Sequence, residues 1–419
     1  MDAREIKGMQ IAATTPLRKG QGAWLVPSQT KSGTTYRVAS RNRALASLFA
    51  TSDMACTCPD YELRQQPCKH VIAVELTIKR EFGPTGEVVT EQVKVTYAQD
   101  WAAYNRAQCQ EKDRFLPMLA DLCATIPQPP QGRGRPRLPM SDMAFDAIHR
   151  VYSGLSARRF DSDVREATAK GLTAQDAHFN SVLRYLRSPE MTPILTHLVT
   201  MSALPLKAVE TDFAVDSTGF STCRYVRWFD HKWGKEQVKR EWVKLHAMTG
   251  VRTNVVTAVE MSDWRSNDSP HFRPLLAATA EHFDIRDVMG DKAYSSKANH
   301  IAVGDLGGTP FIPFKGDIPA MHVEDAPTLP AKATTWTKMY HLFAYQRDTF
   351  LSRYHQRSNV ETTFSMIKAK FGDSLRSKSD VGQMNEVLCK VVAHNLCCLI
   401  AAIHEIGLDL PTFQGLSVA

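Results

Sequence analysis

Thr211-Asp212-Phe213-Ala214-Val215-Asp216-Ser217-Thr218-Gly219 is the stretch on which the fold turns. Residues alternate across an extended strand, so Asp212, Ala214, Asp216 and Thr218 share one face while Phe213 and Val215 take the other. An acid near the end of an otherwise apolar strand is costly unless it is paired or metal-bound. Outward on the N-terminal side, residues 141–200 carry helical patterning. On the C-terminal side, strands are predicted at Arg224–Phe229, Val238–Met248 and Thr253–Met261, with a turn at Thr249-Gly250. Asp268, followed by Pro270, is placed to cap a helix running to Phe283. A strand at Ile285–Met289, a helix near 295–303, a strand at Pro310–Phe314 and helices from about 335 to 407 complete the series.

Antiparallel strands, then helix, strand, helix, strand and terminal helices predict an α/β fold with a mixed sheet, of the ribonuclease-H-like kind. That order carries no function by itself. A second acid, Asp291, follows the strand 285–289, at the carboxyl end where ligands bind in open α/β sheets. A third candidate stands in Tyr354-His-Gln-Arg357-Ser-Asn-Val-Glu361-Thr-Thr-Phe-Ser-Met-Ile-Lys368. If a helix already begins near Tyr354, then Tyr354, Arg357, Glu361 and Lys368 project within about 60° of one another at 100° per residue. Val360, Phe364, Ile367 and Phe371 form the adjacent apolar stripe. Three carboxylates on two strand ends and a helix suit two divalent cations, and all-oxygen donors suit magnesium. Arg357 and Glu361 at i, i+4 also fit an ordinary surface pair.

The N-terminal third reads differently. Cys56-Thr57-Cys58 and Cys68-Lys69-His70 offer four zinc ligands, two pairs joined by nine residues with turn formers between them. Four protein ligands fill zinc's tetrahedron, so such a site is structural. The other six cysteines are expected to be packing residues. Strand-like pieces precede the cluster at 23–27 and 35–39, and the apolar segment Val71–Ile78 follows it. The C-x-C, loop, C-x-H pattern resembles the SWIM-type zinc finger over about residues 35–80, which implies binding to DNA or protein.

The chain has 419 residues, enough for two to four domains, and a formal net charge of +7. The surplus is uneven: residues 1–140 hold 19 basic and 13 acidic side chains. A nucleic-acid partner is permitted, with its electrostatic footing expected in this third. Pro127-Gln-Pro-Pro-Gln-Gly-Arg-Gly-Arg-Pro-Arg137 reads as a linker. Its Arg133, Arg135 and Arg137 contain the core of an AT-hook, which can lie in a narrow A·T minor groove; a plain solvated linker is the rival reading. Arg158, Arg159 and Arg165 are further candidates for phosphate contact, His246 is expected to be a satisfied core histidine rather than a catalytic base, and Trp228, Trp233, Trp242 and Trp264 are expected to pack in the core or at an interface. With no leader-like h-region, and Val391–Ile406 reading as a buried helix, a soluble cytoplasmic protein with no membrane partner is expected.

Tyr-x2-Arg-x3-Glu-x6-Lys, together with Val215-Asp-Ser-Thr-Gly219 and Asp291-Lys-Ala-Tyr294, resembles a large group of bacterial insertion-sequence DDE transposases over roughly 145–400. The resemblance implies that Asp216, Asp291 and Glu361 are the catalytic triad and bind two magnesium or manganese ions. It implies that Tyr354, Arg357 and Lys368 contact DNA near the cut. It implies cleavage and strand transfer on double-stranded DNA, at terminal inverted repeats and at a target, by a homodimer or larger synaptic complex associated with the nucleoid. The rival expectations are a catalytically idle domesticated DNA-binding protein and a ribonuclease-H-like nuclease without strand transfer. The expected organisation is an N-terminal module (1–96), a helical segment (97–126), a linker (127–140), a helical DNA-binding region (141–205), the catalytic domain (206–407) and a tail (408–419). The zinc module is not part of the usual bacterial core, so DNA-end recognition need not follow relatives that lack it.

Overall fold

The computed structural model describes residues 3–15, 17–20, 23–28, 34–40, 54–64, 66–81, 100–134, 136–222, 242–316 and 318–414. The chain divides into two units, residues 1–99 and 100–419.

In the first unit, α1 (Ala3–Thr14) precedes an antiparallel meander of β1 (Arg18–Gly20), β2 (Ala23–Pro27), β3 (Thr35–Ser40) and β4 (Met54–Cys56), followed by α2 (Pro59–Arg64) and α3 (Lys69–Glu81). Alternation along β2 buries Trp24 and Val26 and leaves Leu25 exposed. The apolar segment after the cysteines is α3, which buries Val71, Ala73 and Val74. α1 crosses it so closely that a Cβ on Gly8 would stand 2.7 Å from Ile72, so only glycine fits there. Asp60 of α2 is held by Arg64 at 2.9 Å and Arg4 at 3.3 Å.

The second unit begins with α4 (Trp101–Cys109), α5 (Glu111–Ala124), α6 (Met140–Ser153), α7 (Ala157–Ala169), α8 (Phe179–Leu186) and α9 (Met191–Ala203). β5 (Asp212–Ser221), β6 (Trp242–Gly250) and β7 (Val256–Asp263) follow, then α10 (Phe272–Ala280), β8 (Asp287–Gly290), α11 (Lys297–Asp305) and β9 (Thr309–Phe311). α12 (Thr335–Tyr345), α13 (Arg347–Tyr354), α14 (Ser358–Phe371) and α15 (Asp380–Glu405) complete it. The sheet order is β7-β6-β5-β8-β9, with β5 antiparallel to β6 and parallel to β8. This is the α/β, mixed-sheet, ribonuclease-H-like arrangement expected from the element order. Phe213 meets Phe283 on the α10 side of the sheet, while Asp216, odd against even along β5, meets Arg357 on the other.

One core runs through this unit, from Leu119 and Leu122 of α5 through Met143 and Leu198 to Val215, Leu245, Val288 and Leu396. α15 is long and apolar enough to span a membrane, but 78% of its apolar window is buried, so it is the core helix of the unit. Its Asn395 is satisfied at every position: the amide nitrogen donates to Val256 O (2.8 Å), Ser202 Oγ (3.0 Å) and Val199 O (3.2 Å), and its oxygen accepts from Val256 N (2.8 Å). One side chain thereby ties α15, α9 and β7 together.

Several expectations change in detail. The 97–126 segment is two helices meeting at Gln110, with residues 97–99 outside the described residues. The predicted strand at 224–229 and residues 238–241 also lie outside them. Asp268 does not cap a single helix: a 3₁₀ turn (Ser269–His271) precedes α10, and its carboxylate makes no cap bond because it is engaged elsewhere. Tyr354 does not begin the Glu361 helix but ends α13, and a 3₁₀ turn (His355–Arg357) leads into α14. Residues 127–134 and 136–139 have no helix or strand and are largely exposed.

Candidate active site and metal centre

β5 and β8 run parallel with Val215 opposite Gly290, so Asp216 and Asp291 leave neighbouring strands at the same level. A Cβ on Gly290 would lie 3.1 Å from Val215 and 3.5 Å from Tyr294, so this position keeps the two acid-bearing segments close. Asp291 Oδ1 accepts from Ala293 N at 2.8 Å, closing the turn Lys292–Tyr294 and fixing its own rotamer. Asp216 is fixed on both oxygens: Oδ1 accepts from Ser217 N at 2.8 Å and Oδ2 from Arg357 at 2.9 Å.

Glu361 arrives on the first turn of α14, whose Val360, Phe364 and Ile367 are buried against the core. Phe371, the last member of the expected stripe, is only partly buried. Glu361 itself is exposed and is paired with Arg357. Arg357 therefore bridges two of the three acids. Burial, with the nearby charges of Asp291 and Glu361, holds the Asp216 carboxyl above the usual range, against the opposing pull of Ser217 N–H and Arg357. The three carboxylates thus share one electrostatic site.

Tyr354 is partly buried beside Phe350. Lys368 lies 5.5 Å from the Phe220 ring centre, and burial lowers its pKa. Asp212 is engaged by Arg286. On the linker, Arg133 is exposed, Arg137 is 3.7 Å from Glu190, and Arg135 lies outside the described residues. Arg158 and Arg159 are exposed on α7, and Arg165 pairs with Asp161 at 2.6 Å. Trp264, 50% exposed beneath Arg265, is not a core residue; Trp228 and Trp233 lie outside the described residues. His246 is fully buried, as expected of a core histidine, with Nε2 2.8 Å from Ser262 Oγ. Sequence reasoning missed the group around it, in which Lys244 reaches Asp268 at 2.6 Å.

In the first unit, ligand atoms of Cys56, Cys58, Cys68 and His70 all lie within 4.8 Å of one another and all four residues are buried. Among the described residues this is the one such group close enough to hold an ion as it stands. β4 delivers Cys56, the N-terminus of α3 delivers Cys68 and His70, and Tyr36 packs its ring 4.8 Å from His70. The thiols are free, and hydrogen bonding from Cys56, with help from His70, draws the Cys68 thiol down to about 4. A thiolate among buried sulfurs and an imidazole is the donor set of structural zinc.

Residues 207–396 match the transposase DDE domain family, and residues 53–79 match the SWIM zinc finger. The chain carries a DDE transposase domain behind a SWIM finger. Among curated proteins, none matches it. The DDE match contains β5, β8 and α14 entire, with Asp216, Asp291 and Glu361. The SWIM match contains the four buried ligands.

Proposed function

We propose that this protein cleaves DNA at the ends of a mobile element and joins those ends to a target, with Asp216, Asp291 and Glu361 as its catalytic carboxylates. The observation that carries the reading is the shared site where the parallel pairing of β5 and β8 ends, with Asp216 in mid-strand and Asp291 just past its strand, inside the matched DDE domain. All-oxygen donors, among them an Asp216 carboxyl raised by burial and then by the charges of Asp291 and Glu361, are suited to magnesium or manganese. Such ions, when bound, supply activation of a water or 3′-hydroxyl and stabilisation of the leaving oxygen. Asp216 is held for this by the Ser217 amide, and Asp291 by the Ala293 amide. Arg357 is shared between Asp216 and Glu361, and can turn from them to a phosphate. Tyr354 and Lys368 are assigned to the DNA backbone, as are the linker arginines Arg133, Arg135 and Arg137. Work on two DNA ends implies a dimer or larger synaptic complex, acting at the nucleoid.

The test is a labelled duplex bearing the element's terminal repeat, incubated with the full-length protein and Mg²⁺. Nicking at the repeat boundary, lost in Glu361→Ala, supports the enzyme reading. Binding without nicking, unchanged in Glu361→Ala, overturns it. Pre-cut ends separate strand transfer from hydrolysis: release of cut ends that never join a target overturns the transposase reading in favour of a nuclease.

A further inference from the structure

Glu361 reaches the acid site from outside the sheet, on α14, so its direction depends on how that helix is set. Val360, Phe364 and Ile367 bury the helix by apolar contact, which is non-directional and does not fix rotation about the axis. Thr363 is also fully buried, about 200° around the helix from Glu361 at 100° per residue. Its hydroxyl donates to Asn359 O at 3.0 Å within the helix and meets the Asn254 side-chain amide at 3.3 Å. Asn254 stands in the turn between β6 and β7, and among the described residues it is the one non-glycine residue with positive φ, at 61°. Glycine takes that left-handed conformation at no steric cost, and what asparagine adds is its amide.

The turn is held from several sides. Asn254 N donates to Gly250 O at 3.1 Å, and His394 Nε2 of α15 lies 2.9 Å from Asn254 O. Glu210, 1% exposed, accepts from Thr253 N at 2.5 Å and Thr253 Oγ1 at 2.7 Å with one oxygen, and from Arg252 N at 3.2 Å with the other. Val251 N donates to Asp212 O at 3.0 Å. Glu210 leads into β5 and Asp212 begins it, so the root of the Asp216 strand and the helix of Glu361 are joined through Asn254.

We propose that Asn254 is a positioning residue for Glu361: from a turn anchored at the root of β5, its amide holds the buried face of α14 and so sets the direction in which Glu361 meets the other two acids. The inference rests on the reading of Glu361 as a metal-binding catalytic acid. A hydrogen bond is directional where apolar packing is not, so this contact fixes the rotation of the helix. Partners that orient a metal-binding side chain change cation affinity by roughly 10–100-fold when removed. Asn254 acts through the helix and not on the carboxylate itself, which places it at the low end of that range.

The experiment measures Mn²⁺ affinity of the full-length, zinc-loaded protein by electron paramagnetic resonance of the free ion, with thermal unfolding followed in parallel. Asn254→Gly keeps the left-handed turn and the carbonyl facing His394 and removes the amide. Thr363→Val keeps the shape and removes the hydroxyl, whereas Thr363→Ser keeps the hydroxyl. The expected result is Mn²⁺ binding weakened by about 10-fold in Asn254→Gly and Thr363→Val, with near-native affinity in Thr363→Ser. In a Glu361→Ala background, Asn254→Gly should add nothing. Affinity unchanged in Asn254→Gly or in Thr363→Val overturns the proposal. So does a Thr363→Ser as weak as Thr363→Val, or a full further loss from Asn254→Gly when Glu361 is already gone. If Asn254→Gly does not fold, the Thr363 pair decides alone. Glu361→Ala separates the two levels. Native Mn²⁺ affinity in that variant overturns the catalytic-acid reading of Glu361 itself. Affinity lost in Glu361→Ala but native in Asn254→Gly and Thr363→Val overturns only the positioning role.

Discussion

Arg357 sets the charge balance of the acid site. It is one cation shared by Asp216 and Glu361, and a divalent ion would compete with it for the same oxygens. Arg357→Gln is accordingly expected to strengthen Mn²⁺ binding to the free protein while weakening binding to a terminal-repeat duplex. Titrations of each ligand alone check this, and weaker Mn²⁺ binding in the variant contradicts it. A second residue, on α6, contributes to pH dependence. Asp146 of α6 is fully buried with both oxygens unpartnered; burial first, then Asp142 and Asp176, push its carboxyl up to about 8. The native state then keeps a proton that the unfolded chain sheds near its ordinary value, so Asp146 costs stability increasingly as pH rises from about 4 to about 8. Neighbouring His149, lowered to about 4 mainly by burial, acts in the opposite sense between about 4 and 6.5. The difference between Asp146→Asn and wild type isolates the carboxyl: the variant should unfold at higher temperature than wild type at pH 8, with the gap closing toward pH 4. A gap independent of pH would contradict the assignment.

At the scale of elements, what was legible in the sequence is what is local. β5 is legible because its alternation places apolar and polar residues on opposite faces, and Asp291 because it follows a short apolar strand. The cysteine pairs are legible because ligand spacing is itself a statement about geometry. The break between α13 and α14 is not, because Tyr354 through Ser358 all hold right-handed helical angles and the side-chain pattern runs on through them. Asp268 is misread for a related reason: Asp-x-Pro satisfies the rule for a cap, whereas its partner Lys244 stands 24 residues upstream across a turn and two strands. α15 was legible as buried from its apolar content, but not the role of Asn395, whose four bonds go to α9 and β7. Asn395→Ala should therefore cost about 2–3 kcal/mol, since it strands buried backbone groups as well as removing bonds. A lowered urea midpoint with unchanged slope confirms this; a shift below about 0.5 kcal/mol, the range of ordinary surface changes, contradicts it.

For the whole molecule, the two units have different sources of stability. Residues 1–99 combine a small core with four converging metal ligands. Small metal-stapled domains draw much of their folding free energy from the ion. Residues 100–419 have one large continuous core and need no such staple. Calorimetry of the full chain with a strong zinc chelator should therefore lower or abolish the transition of the first unit and leave that of the second in place. Zinc near one equivalent per chain, reduced in Cys58→Ser, is the companion measurement; unchanged content in that variant contradicts the ligand assignment.

The burial of α15 bears on how the protein is made. Its side chains complete a core that begins with α5 and runs through the sheet, so the second unit cannot close until residues 380–405 have left the ribosome. Until then Asp216, Asp291 and Glu361 belong to a chain whose sheet lacks one covering layer. The first unit, by contrast, has all four ligands in hand once residue 70 emerges. Once α3 has followed, a growing chain therefore carries the zinc module well before it carries a finished acid site. A stop codon after residue 99 and before residue 380 should leave a chain that still takes up zinc but lacks the completed carboxylate site.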